Sequence, residues 1–133
     1  MIAMARLSLR IDFEPSGSAL GPGMAQLLER VGDCGSIRAA AVSMDMSYRK
    51  AWLLINALQE TFNGAVVTSA VGGSSGGGTQ LTELGSTLLA TYRRIESRAA
   101  RAADADLKAL DGMVRSNAKP RRTGRRKKVS KSA

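Results

Sequence analysis

Ser47, Tyr48, Arg49 and Lys50 form a run of four hydrogen-bond donors, the last two cationic. Such a run suits phosphate oxygens and the edge of guanine, where arginine can pair bidentately. It does not suit bond-breaking chemistry. The chain has no histidine, which removes the usual acid–base group at neutral pH and the commonest metal ligand. Cys34 is the single cysteine, so no disulfide closes within the chain. With no cation obviously placed beside it, Cys34 reads as a buried small residue and not as a reactive thiol. Asp104, Asp106 and Asp111 read as a solvated helix face, and the six methionines are scattered packing residues. Neither an enzyme nor a cofactor nor a metal site is expected.

The donor run needs a scaffold, and the stretch from Gly35 to Phe62 supplies one. Ser36 is a candidate N-cap for a short helix with Ile37, Ala40 and Ala41 on its apolar face. Asp45-Met46 marks a turn. Ser47 can then cap a second, longer helix in which Tyr48, Ala51, Trp52, Ile55, Leu58 and Phe62 recur at helical spacing. Arg49, Lys50, Asn56 and Gln59 fall off that stripe. Two helices joined by a tight turn, the second pinned by one face and offering donors at its start, are what a helix-turn-helix brings to a DNA major groove. Trp52 lies on the stripe and reads as core, not as a stacking platform. Ser47 and Tyr48 are candidates for phosphate contacts, Tyr48 alternatively for the core, and Arg38 lies near the DNA backbone in this reading.

Downstream, Asn63-Gly64 is a stop signal. Ala65–Val71 and Thr79–Leu81 read as two strands joined by the glycine run 72–78, a β-hairpin placed where a winged helix carries its wing. The run GGSSGGG superficially resembles a phosphate loop. It lacks the Lys-Ser/Thr pair after its last glycine, and a strand, not a helix, follows it. Ser74 and Ser75 are therefore read as wing-tip donors to DNA phosphates.

Upstream, residues 6–13 alternate. Leu7, Leu9, Ile11 and Phe13 face one way and Arg6, Ser8, Arg10 and Asp12 the other, a half-buried strand signal. Residues 15–23 read as a loop by their Gly, Pro and Ser content. A helix follows over 22–33, with Met24, Leu27, Leu28 and Val31 buried, and Gly32 and Gly35 ending it. Thr82 is a candidate cap for a last helix carrying Leu84, Leu88, Leu89, Tyr92 and Ile95, predicted to run unbroken to Met113-Val114. Its later turns have little core left to cover, so Ile95, Ala99, Ala102, Ala103, Leu107 and Leu110 are expected to pair with the same helix of a second subunit.

The net charge of +9 is uneven. Arg115, Lys119, Arg121, Arg122, Arg125, Arg126, Lys127, Lys128 and Lys131 lie in a C-terminal stretch without an acid, which leaves eleven basic against eleven acidic residues before it. The body is formally neutral, and the tail adds sequence-independent attraction to polyanions, with Arg121, Arg122, Arg125, Arg126, Lys127 and Lys128 as its phosphate contacts. Being charged and poor in apolar residues, the tail is expected to be disordered when free. No apolar run approaches membrane-spanning length, and the first residues alternate where a signal peptide would be continuously apolar.

LLERVGDCGSIRAAAVSMDMSYRKAW, followed by GGSSGGGTQLTELGSTLL, resembles the N-terminal DNA-binding domain of ModE, the bacterial molybdate-responsive transcriptional regulators. The resemblance covers roughly residues 21–95. LysR-type regulators share the GS-x-x-x-AA and LT-x-x-G features but usually lack SY-x-x-AW, and come second. The ModE resemblance implies a winged helix that binds palindromic operator DNA as a homodimer, Ser47 to Lys50 opening its recognition helix and Gly72–Gly78 forming its wing. Regulators of that type carry C-terminal molybdate-binding domains. This chain has a helix and a basic tail there, so molybdate binding is not carried over.

The expected organisation is mainly α with a small β component: a winged helix-turn-helix with a long C-terminal dimerisation helix over 1–114, then a basic tail over 115–133. The expected protein is a cytoplasmic, nucleoid-associated regulator that binds double-stranded DNA as a homodimer. The alternative is an architectural DNA-binding protein driven by its tail. A module for a protein partner has no positive sequence support.

Overall fold

The computed structural model describes residues 4–70 and 78–114. The elements, in order, are β1 (Ile11–Phe13), β2 (Ser18–Leu20), α1 (Pro22–Cys34), α2 (Ile37–Ser43), α3 (Tyr48–Phe62), β3 (Val67–Ala70), β4 (Gly78–Leu81), α4 (Glu83–Ala102) and α5 (Asp104–Met113). They fall into two compact units, Ser8–Arg98 and a second that joins the described residues 4–7 to 99–114. The fold is mainly α with two small antiparallel hairpins, a winged helix-turn-helix with a long helix behind it.

In the Ser8–Arg98 unit, α1 opens on Pro22, whose missing N–H costs nothing in a first turn. It buries Met24, Ala25, Leu27, Leu28 and Val31 and closes on Gly35, whose φ of 73° is left-handed. Gly32 does not end the helix. It lies inside α1, where a Cβ would sit 3.6 Å from Leu81. Cys34 is exposed, not buried, because the last turn of α1 carries it past the core-facing stripe. Ser36 caps α2 by accepting from the Ala39 amide at 3.0 Å, and Ile37, Ala40 and Ala41 pack inward. The core joins these to Leu20, Ala51, Ile55, Leu58, Val66, Val67 and Tyr92.

The strands differ from their predicted extents. Exposure alternates along residues 6–13 as the sequence implies, yet only Ile11–Phe13 is ladder-paired, because its partner is three residues long. That partner, Ser18–Leu20, lies in the stretch read as loop; Gly17, at φ 84°, turns the chain back so that Ile11 meets Leu20. Phe13 packs edge-to-face on Phe62 at 5.0 Å, which fastens this hairpin to α3.

The second hairpin pairs Val67 with Leu81 through to Ala70 with Gly78. Its base is seated on the helices. The Thr79 amide donates to the Gly35 carbonyl at 2.7 Å, and a Cβ on Gly78 would stand 3.0 Å from that oxygen. Thr82 caps α4, its hydroxyl donating to the Ala65 carbonyl and accepting from the Gly85 amide. Gly85 is required by close approach, since a Cβ there would lie 2.2 Å from the Val66 carbonyl oxygen. Farther along α4, the buried Tyr92 hydroxyl donates to the Leu9 carbonyl at 2.7 Å, and burial pushes its pKa up.

The last helix is not continuous. Ala103 separates α4 from α5, and α5 buries none of its residues. Within the second unit the Ala5 amide donates to the Asp111 carboxylate.

Candidate nucleic-acid interface

The start of α3 is fixed from three directions. Ser47 has extended backbone angles and its hydroxyl oxygen accepts from the Lys50 amide at 3.0 Å. The turn before it is closed by Asp45 at φ 58° and by the Met46 amide donating to the Ala41 carbonyl at 3.0 Å. Inward, Ala51, Ile55 and Leu58 are buried against the core. These restraints hold one face of α3 and leave the opposite face in solvent.

On that outer face the sequence-predicted residues separate into distinct roles. Arg49 and Lys50 are exposed and form no ion pair among the described residues. Ser47 has spent its oxygen on the cap but keeps its O–H. Asn56 is exposed, and its Oδ1 accepts from the Gln59 side-chain amide at 3.2 Å. Gln59 is not an outward donor: its Oε1 accepts from the Val66 amide at 3.0 Å, so it tethers α3 to the approach of β3.

Tyr48 is not part of the buried stripe. It is 41% exposed, and the buried stripe begins three residues on, at Ala51. Its hydroxyl accepts from the Trp52 indole N–H at 2.7 Å, and the Arg38 guanidinium carbon lies 4.4 Å from its ring centroid. Arg38 on α2 is thereby drawn to the start of α3. Trp52 packs partly buried on the core.

Leu53 escaped the sequence reading. It is 57% exposed between Arg49 (four residues before) and Asn56 (three after), on their shared face. Its signal was an apolar residue outside the stripe at helical spacing from a cation. Ser74 and Ser75, and the tail residues Arg121, Arg122, Arg125, Arg126, Lys127 and Lys128, lie outside the described residues.

This arrangement can dock on a polyanionic groove: a rigid helix, cationic at its positive dipole end, with an apolar and an amide side chain one and two turns on. Apart from the Tyr92 phenol, whose O–H is taken up by the Leu9 carbonyl, no polar or charged side chain is buried among the described residues. Nor do the described residues group three or more potential metal ligands.

The fold and this face define a winged helix whose α3 turns its outer face to solvent. No family model matches the chain. It is 38% identical over 96 residues to the molybdenum-pterin-binding protein MopB of Rhodobacter capsulatus, covering 72% of this chain and 36% of that one. It is 39% identical over 93 residues to the molybdenum transport protein ModE of Azotobacter vinelandii, covering 70% and 33%. Over 71 residues it is 35% identical to the DNA-binding transcriptional dual regulator ModE of Escherichia coli K12, covering 53% and 27%. The chain carries a ModE-type N-terminal domain. It spans about a third of the length of the curated relatives it matches. Those relatives bear the names of regulators and molybdenum-binding or transport proteins, not of enzymes.

Proposed function

We propose that this chain is a sequence-specific regulator of transcription that binds double-stranded DNA through α3. The observation that carries the reading is the exposed Arg49-Lys50, in no ion pair among the described residues, at the start of a helix whose other face is locked into the core. The name of the Escherichia coli relative, a DNA-binding transcriptional regulator, supports it. In this reading Arg49, Lys50 and Asn56 meet base edges, and Ser47, Tyr48 and Arg38 meet phosphates. Ser74 and Ser75 add wing contacts, and the basic tail adds salt-sensitive affinity without selectivity. The chain acts as a homodimer through the helical region at about 83–113, so its operator is palindromic. Its place is the cytoplasm, on the nucleoid. Molybdate is assigned no role in the described domain.

The acid-free tail favours a second reading, an architectural protein bound to DNA by charge alone. Sequencing of genomic fragments retained at near-physiological salt, with and without molybdate, separates the two. Enrichment of a palindrome is expected, lost when Arg49 and Lys50 are both replaced by Ala in a protein that stays folded. Retention without enrichment would replace the regulator with the architectural reading.

A further inference from the structure

Three side chains around the start of α3 form a device that the base-reading role does not require. Trp52 is held by the core yet sends its indole N–H outward to the Tyr48 oxygen at 2.7 Å. An indole only donates, so the phenol must accept, and its own O–H has no partner among the described residues. A phenol that accepts one hydrogen bond is polarised toward donating another. Arg38 stacks on the same ring at 4.4 Å and is in no ion pair among the described residues. An oriented O–H, a cation and the positive end of a fifteen-residue helix therefore meet at one place. The phenol, already accepting from the indole, is left with one O–H to give, and all three features suit a single anionic oxygen group.

Resting on the DNA-binding reading above, we propose that Tyr48 and Arg38 are a preassembled clamp for one DNA phosphate in each half-site, with Trp52 as its positioning residue. Tyr48 donates to a phosphate oxygen. Arg38 supplies charge from α2, so the two helices of the motif grip the same phosphodiester. Trp52 never touches DNA. It fixes the Tyr48 ring in advance, which removes part of the ordering cost on binding.

The test uses the full chain and a duplex it retains, made as a series in which a neutral methylphosphonate replaces one phosphate at a time. The wild type should lose about tenfold in affinity at one phosphate per half-site, the value of a hydrogen bond to a charged acceptor. Y48F should bind the unmodified duplex about tenfold more weakly and be indifferent to that phosphate while still sensing the others. W52F should weaken the response at that same phosphate alone. R38Q should lower the slope of log affinity against log salt by about one, a change that Y48F should not produce. In the free protein, Y48F should shift the emission of Trp52, the single tryptophan. If W52F does not fold, Y48F decides, since its ring and stack remain. A wild type that binds the duplex, with Y48F binding equally well or weakened evenly at every phosphate, overturns the clamp alone. A wild type that retains no duplex overturns the DNA-binding reading and the clamp with it.

Discussion

α3 and α5 look alike as sequences: each places apolar residues at helical spacing beside charged ones. The chain treats them differently. α3 is capped by the Ser47 side chain, buries Ala51, Ile55 and Leu58, and closes on Asn63 in the left-handed region. α5 starts at Ala103 without a side-chain cap, buries nothing, and leaves Leu110 and Met113 51% and 73% exposed. An apolar face spent inside one chain produces stability and precision, whereas one left outside is available to a second molecule. Reading of bases by α3, as proposed, would demand the first, because a helix that shifts by an ångström would lose hydrogen bonds to base edges. Pairing of subunits by the helical region that contains α5 would use the second.

The comparison breaks most visibly at Ile55. It is fully buried, and Ile55→Ala should destabilise the Ser8–Arg98 unit by about 2–5 kcal/mol, the range for an aliphatic side chain cut to alanine in a packed core. Urea unfolding followed by Trp52 fluorescence measures it. A loss under about 1 kcal/mol would mean that α3 is not held as its burial implies. On the other helix, Leu110→Asp should change the same unfolding midpoint by no more than about 0.5 kcal/mol, as an exposed site does. Its effect should appear in solution mass. Sedimentation should show the parent chain as a concentration-dependent dimer and the variant as a monomer. A parent that stays monomeric at every concentration would leave α5 a solvated helix.

The features that separate the two helices were unequally legible. The caps were readable because a Ser with the right helical register after it has few other uses, and Ser36 and Ser47 both accept the N3 amide. The core face of α1 was readable from its period alone. Tyr48 was not, since periodicity places it with Ala51 and Trp52 but says nothing about where the neighbouring helix ends. Ser18–Leu20 was hidden because glycine, proline and serine mask a three-residue strand whose pairing depends on a distant partner. The break at Ala103 was hidden by alanine-rich composition, which favours helix on both sides. Its trace was Asp104 and Asp106, acids that suit the first turn of a new helix better than the middle of an old one. Leu53 was passed over because an apolar residue off the stripe has no meaning until the opposite face is known to be sealed. The exposure of Arg49, Lys50 and Asn56 was legible from the stripe, yet the tether from Val66 through Gln59 to Asn56 required the fold, as it joins an amide in the approach to β3 to side chains on α3.

The smallest effect sharpens the comparison at the helix starts themselves. Ser47→Ala leaves the Lys50 amide without its partner and should lower the stability of the Ser8–Arg98 unit by about 1 kcal/mol, readable in the same urea titration. The reciprocal change, Ala103→Ser, should return less, a few tenths of a kcal/mol of helicity in α5. The reason is the backbone. Ser47 sits at φ −73° and ψ 155°, extended as a capping side chain needs, whereas Ala103 sits at φ −95° and ψ 7°. From there a serine oxygen is poorly placed to reach the amide three residues on. Amide hydrogen exchange over α5 would measure the gain. A full 1 kcal/mol would mean that the turn at Ala103 relaxes to accept a cap, and that the two helices differ at their starts by one side chain and not by backbone geometry.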